Sequence, residues 1–263
     1  MRYRILPVKN ISRIKDAGDA LISRSMGMPG MGLIWGPTGY GKTTAATWFI
    51  NQCHGVYIRA IRLWSPRSML DAMMRELDLY GKGMNNGQRV EAIIQGLAET
   101  GRPLFIDEAD YVIDSQRLVD TLRDIHDLSS VPVILISMQG ICKKLNRRGM
   151  EQFTGRIAQW VEFSGADMED TQLLADGLCE VKVAEDLLEH LHRIASPKNK
   201  QNEVLGSAEI RRVLVGLEQI EQFARSRGLD TISEAQWTRG DDFFKGQAAR
   251  PVPAGKVASI RSV

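Results

Sequence analysis

The stretch Gly36-Pro37-Thr38-Gly39-Tyr40-Gly41-Lys42-Thr43 constrains this chain more than any other. It fits the pattern G-x-x-x-x-G-K-[ST], which is meaningful only with a buried strand before it and a helix after it. Leu33-Ile34-Trp35 supplies the apolar run for the strand, and Thr43 to Asn51 supplies a helix-compatible run. The backbone N–H groups of such a loop can ring a phosphate, helped by the positive end of the helix that follows. Lys42 is placed to reach the outer phosphates, the Thr43 hydroxyl to ligate Mg²⁺, and Thr44 to line the same cradle. Gly39 and Gly41 permit backbone angles and a closeness of approach that a Cβ forbids.

The rest of the chain alternates strand and helix around this loop. Val56 to Ala60 reads as a second strand, Pro103 to Ile106 as a third, Val131 to Ser137 as the most apolar, and Ile157 to Phe163 as a fifth. Between them lie helical patterns: one opened by the N-cap and N1 pair Ser65-Pro66 and carrying Met69, Leu70, Met73, Met74 and Leu77 on one face, one over Gln88–Glu99, and one over Ser115–Leu128. Gly81 to Gly87 is a flexible loop. Strands alternating with helices imply a parallel sheet covered on both faces. A helical face over Asn10–Ile22 precedes the first strand, and Gly27, Pro29, Gly30 and Gly32 break the chain between them. After Gly165 only helices are expected, over 170–178, 183–195, 207–227 and 233–244, with a polar, mobile loop over 196–202. The expected divisions are an N-terminal helical segment (1–30), an α/β domain with a five-stranded parallel sheet (31–165), a small all-helical lid domain (166–245) and a disordered basic tail (246–263) carrying Arg250, Lys256 and Arg261.

Composition excludes several classes. No run of about 18 apolar residues exists, so no membrane span is expected, and Met1-Arg2-Tyr3-Arg4 lacks a following apolar signal region. Cys53, Cys142 and Cys179 are widely spaced and odd in number, which suits reduced thiols in the cytoplasm and neither a disulfide framework nor a zinc site. The net charge of +2 permits a nucleic-acid partner without arguing for one.

Leu104-Phe105-Ile106-Asp107-Glu108 completes the phosphate site. An acid at the C-terminal end of a buried strand puts Asp107 beside the loop, where it can hold Mg²⁺, and Glu108 is placed to polarise an attacking water. ATP with Mg²⁺ is the expected cofactor pair, and ATP hydrolysis the expected reaction.

The loop, Asp107-Glu108-Ala109-Asp110 and the trailing helical region together resemble an AAA+ ATPase. Within that class the central segment is similar to the MuB/TnsC-type DNA transposition ATPases. That likeness is carried by Val56-Tyr57-Ile58-Arg59, Leu122-Arg123-Asp124-Ile125, Val133-Ile134-Leu135-Ile136-Ser137, Phe153 with Arg156, and Val161-Glu162-Phe163-Ser164-Gly165. The resemblance implies a polar residue sensing the outer phosphate at the end of the fourth strand. Here Met138 stands where Thr or Asn is usual, with Ser137 or Gln139 as substitutes. It implies an arginine finger acting on a neighbouring subunit's nucleotide, for which Arg156 is the match and Arg147 and Arg148 are rivals. It also implies a second sensor in the helical domain, matched by Arg211.

Arg59 near the end of the second strand, and Arg62 and Arg67 after it, lie where this kind of ATPase faces double-stranded DNA. Backbone phosphates would be the ligand, giving sequence-independent, salt-sensitive affinity. Lys143, Lys144, Arg147 and Arg148 form a second basic cluster open to DNA, to a subunit contact or to solvent alone. The expected role is an ATPase that oligomerises on DNA as a ring or filament and selects target sites for a transposase. The alternatives are a helicase loader or replication-initiation ATPase, and a nucleotide-dependent binding switch that does not hydrolyse.

Overall fold

A computed structural model describes residues 1–2, 4–25, 27–198 and 207–244. Its centre is a parallel five-stranded sheet in the order β2-β3-β4-β1-β5, formed by β1 (Met31–Gly36), β2 (Val56–Arg59), β3 (Leu104–Asp107), β4 (Val133–Met138) and β5 (Ile157–Glu162). Because successive side chains point to opposite faces, each strand feeds two cores. Ile34, Phe105, Ile134 and Ile136 pack on α1 (Lys9–Ile22) and α2 (Lys42–Cys53). Leu33, Ile58, Ile106, Val133 and Leu135 pack on α3 (Pro66–Glu76), α4 (Asn86–Thr100) and, beyond the short α5 (Asp110–Ile113), α6 (Gln116–Ser129). The continuous apolar runs of β3 and β4 follow from burial on both faces.

Local signals explain the helix ends. Ser65 accepts from the Ser68 backbone N–H and Ser68 reciprocates, with Pro66 at the first helical position. Asn85 and Gln88 form the same reciprocal cap on α4, so that helix starts at Asn86, inside the loop expected over 81–87. Two short helices, α7 (Ile141–Leu145) and α8 (Glu151–Thr154), lie between β4 and β5.

Beyond β5 the chain is mostly helical: α9 (Met168–Leu178), α10 (Glu185–Ala195) and α11 (Ile210–Ser226). Their buried faces join the core of α1 and α2 in one cluster running from Phe49 to Leu191 and Leu217. Two expectations for this region need correction. A two-residue parallel pair, β6 (Lys182–Val183) with β7 (Thr231–Ile232), stands where only helices were expected; strands this short show no period. The helix expected over 233–244 reduces to a 3₁₀ turn, Glu234–Gln236, capped by Ser233. Gly240 there takes a left-handed φ of 55° and its carbonyl accepts the Trp237 indole N–H at 2.8 Å, a turn that lets Trp237 and Phe243 stack in the core. The basic tail (246–263) and most of the loop over 196–202 lie outside the described residues. No helix among the described residues is long and apolar enough to cross a membrane.

Candidate nucleotide site

All strands of the sheet run parallel, so the loops after β1, β3 and β4 open at one edge, and the predicted site residues of those loops meet there. Gly39 and Gly41 take left-handed φ angles of 88° and 80°, and Gly41 caps α2 from that conformation. A Cβ on Gly39 would stand 2.1 Å from Glu209 Oε1, so this glycine also lets the start of α11 sit on the loop. The Arg211 backbone N–H donates to Gly39 O at 3.0 Å, closing that contact.

Lys42 Nζ donates to Gly36 O at 2.7 Å and Pro37 O at 2.8 Å, folding back over the loop where a phosphate would compete for it. Burial holds its ammonium below the ordinary lysine value, against the opposing pull of Asp107, Glu108 and Asp110. Arg211 pushes in the same direction as burial, which places its charge on the same site. Thr43 Oγ1 donates to Asp107 Oδ2 at 2.9 Å. This contact brings together the hydroxyl and carboxylate that a Mg²⁺ ion on bound phosphates requires, so the donor set fits ATP with Mg²⁺.

Two further groups fix Asp107. Tyr57 Oη donates to the same Oδ2 at 3.1 Å, and the Glu108 N–H donates to Oδ1 at 2.9 Å. Burial, reinforced by Asp107, pushes the Tyr57 phenol up to about 12, so it remains a donor at any ordinary pH. Glu108 sits at a left-handed φ of 55°, a conformation costing a non-glycine residue about 1–2 kcal/mol. Its carboxylate faces Arg59, with Arg59 Nη2 to Glu108 Oε1 at 3.2 Å. Sequence alone assigns Tyr57 no role in the site; the available signal is a polar aromatic within a strand whose register sets Tyr57 beside Phe105 and Arg59 beside Asp107.

The sensor candidates separate. Ser137 is buried and donates its hydroxyl to Asp110 Oδ2 at 2.6 Å, while the Met138 N–H donates to the same oxygen at 2.9 Å. Gln139 is exposed, and Met138 Sδ lies 3.5 Å from Thr38 Oγ1.

Next to the loop a cavity of about 270 Å³ is lined by Ile5, Val8, Ile11, Leu174, Ile210 and Leu214, with Gly41 and Thr44 at its rim. Asn10, at the start of α1, donates to Tyr40 O at 3.1 Å and Ser164 O at 2.8 Å, tying the N-terminal segment to the loop. An apolar slot beside a phosphate cradle suits a flat base, and residues from the segment before the first strand line it.

The arginines assigned from sequence are distributed differently. Arg156 precedes β5, and Met31 N donates to Arg156 O, so it lies at the sheet edge away from its own phosphate loop. There Asp127 holds it in a two-pronged pair and Gln152 O accepts its third arm. Arg147 and Arg148 are exposed and make no ion pair among the described residues. Of the predicted DNA contacts, Arg59 is paired with Glu108 and Arg67 lies 3.9 Å from Asp71, while Arg62 is exposed and unpaired among the described residues. Lys144 is engaged with Asp114 and Asp110.

Residues 26–145 match the family described as "AAA domain". No curated protein matches the chain. Among solved structures, the fold is similar to the ORC2 protein of Aeropyrum pernix, described in ADPNP–ADP complexes, with a TM-score of 0.67 at 15% identity over 95% of this chain and 71% of that one. Cdc6p of Pyrobaculum aerophilum gives a TM-score of 0.63 at 16% identity, covering 88% and 65%. The ORC1 protein of Aeropyrum pernix, described in complex with DNA, gives 0.59 at 16% identity, covering 86% and 62%. The five-stranded parallel sheet, its phosphate loop and the helical region behind it are therefore those of a P-loop AAA+ fold.

Proposed function

We propose that this chain is an ATPase that binds duplex DNA without sequence preference and assembles on it when ATP is bound. The observation that carries the reading is the convergence of Lys42, Thr43 and Asp107 at one sheet edge, with Glu108 beside them on a strained backbone. Bound Mg²⁺ would neutralise charge on the phosphates. With nucleotide and metal bound, Lys42 would exchange its loop carbonyls for phosphate oxygens, Asp107 and Thr43 would hold the metal, and Glu108 would orient the attacking water. Arg211, entering from the start of α11, adds a positive charge whose position depends on the helical region. Nucleotide state is thereby coupled to the placement of α9–α11.

The Arg59–Glu108 pair supports a link to DNA. A glutamate held by an arginine polarises water poorly, and a phosphate that draws Arg59 away frees it. Arg62, exposed just after β2, is the first contact expected for that phosphate. A positive charge acting in trans would come from the 147–156 segment. Arg147 and Arg148 reach a neighbour without breaking a pair, whereas Arg156 must first leave Asp127.

Two roles follow for the assembled protein. The likeness of fold to ORC and Cdc6 proteins supports a replication-initiation or loader role. The sequence resemblance to transposition ATPases supports delivery of target DNA to a transposase. Both share the ATP-dependent assembly proposed here, and affinity capture with a helicase or a transposase as bait separates them. The hydrolysis step is tested by steady-state phosphate release with duplex DNA present. Wild type should turn over and Glu108→Gln should not; equal, negligible rates would leave only a nucleotide-binding switch.

A further inference from the structure

A second basic feature lies between α3 and α4. Where α3 ends and α4 begins, Arg75, Lys82 and Arg89 line a hollow of about 270 Å³ with Asp71, Met74, Leu79 and Gly81. That is room for about nine waters at liquid density. Arg89 is the unusual member, a guanidinium whose side chain is only 5% exposed. Buried charges of this kind are paired or serve a ligand. Its Nε donates to Asp71 Oδ1 at 2.9 Å and its Nη1 to Met84 O. Its Nη2 meets no acceptor among the described residues. It lies beside Gly81, where an added Cβ would stand 3.5 Å from it and crowd Met74 Sδ at 3.0 Å. Arg75 and Lys82 are exposed and have no ion pair among the described residues. Asp71 is the single acid of the lining, and it is already shared by Arg89 and Arg67. Three cations around one engaged carboxylate leave an excess of positive charge, with one fixed guanidinium arm and two flexible side chains.

We propose that this hollow is a phosphate-binding site that takes a backbone phosphate of duplex DNA, an inference that rests on the DNA-binding reading above. Its place on α3 favours that ligand over a free anion. Arg67, Asp71 and Arg75 follow one another at four-residue steps along the helix, and Arg62 lies just before it. Two turns separate Arg67 from Arg75, about 12 Å at 1.5 Å per residue. At about 3.4 Å of axial rise per nucleotide, a helix lying along the duplex axis covers three to four phosphates of one strand over that distance. Arg62, Arg67 and the hollow thus form one track, with Arg89 fixing the far end and Arg75 and Lys82 closing over the phosphate.

The test is fluorescence anisotropy of a labelled duplex, with a slowly hydrolysed ATP analogue present, at salt concentrations between 50 and 200 mM. Wild type is compared with Arg75→Ala/Lys82→Ala, whose changes are exposed and should leave the melting temperature unmoved. Arg89→Lys keeps the charge but cannot serve Asp71, Met84 and a phosphate together. The double variant should bind more weakly on every sequence, with the slope of log K against log salt reduced by about 1. Arg89→Lys should show the same change in slope. Unchanged affinity and slope in a double variant of a DNA-binding wild type would overturn the site alone. A wild type that binds no duplex would instead sink the DNA reading on which it rests.

Discussion

Removing the Tyr57 hydroxyl probes the metal side of the site without touching a phosphate contact. In Tyr57→Phe, Asp107 loses one of the hydrogen bonds that fix its Oδ2 and keeps those from Thr43 and the Glu108 backbone. A hydrogen bond to a charged acceptor contributes about 1.5–3 kcal/mol. Tyr57 is half-buried and its acceptor keeps other donors, so the lower end applies. About 1.5 kcal/mol is a little over tenfold in an equilibrium constant, within the 10–100-fold range of outer-shell partners of metal ligands. The assay is the Mg²⁺ concentration for half-maximal binding of a fluorescent ATP analogue, read beside binding in chelator and a thermal melt. The half-maximal Mg²⁺ concentration should rise about tenfold, with metal-free nucleotide affinity and melting temperature nearly constant. A Mg²⁺ requirement unchanged within about twofold would refute an orienting role for the hydroxyl, by the same arithmetic. An equal loss of affinity in chelator would show that the hydroxyl supports the loop and not the metal.

Further outcomes follow from the same geometry. Arg59→Ala should raise phosphate release in the absence of DNA by no more than about fivefold, because an exposed pair contributes at most about 1 kcal/mol, and it should blunt stimulation by DNA; a lower rate would mean that Arg59 assists the chemistry. Single alanine substitutions of Arg147, Arg148 and Arg156 should all spare nucleotide binding, and loss of the trans arginine should cut turnover by roughly 10³-fold or more, with the unpaired Arg147 or Arg148 giving the larger loss. Arg156 holds the Asp127 carboxyl below its ordinary value, so that pair stabilises the fold above pH 3.8 and its contribution disappears as pH falls through the lowered value. Thermal melts in acid should therefore lose stability more steeply for wild type than for Asp127→Asn, by a modest amount because both partners are partly exposed. Burial pushes the Cys179 thiol up to about 12, so iodoacetamide should label Cys53 and Cys142 well before it, an order readable by peptide mass spectrometry.

The α/β part was legible because its strands are buried on both faces and its loop has a fixed pattern. Each strand from Leu33 to Val161 falls within a few residues of its expected position, and Ser65-Pro66 caps α3 as read. The region after Gly165 was less legible for physical reasons. β6 and β7 are too short to show a period, and the turn through Trp237 and Gly240 is set by aromatic stacking with Phe243, a contact local sequence does not encode. At the site, spacing identified Lys42, Thr43, Asp107 and Glu108, whose positions follow from the strand ends. It could not reveal that Tyr57 and Arg59 lean on the two acids, which requires the β2–β3 register. Nor could it show that Asp127 already occupies Arg156, since that pair joins α6 to the start of β5. Arg89 reads as one more surface cation until α3 and α4 pack together and bury it.

The central claim is that ATP held by this loop controls assembly on DNA, and sedimentation velocity with a labelled duplex tests it most directly. Wild type with ATP should carry the duplex into a fast-sedimenting complex of several subunits, and both ADP and the Lys42→Ala substitution should abolish that complex. A wild-type protein that stays monomeric and leaves the duplex free in saturating ATP would contradict the account.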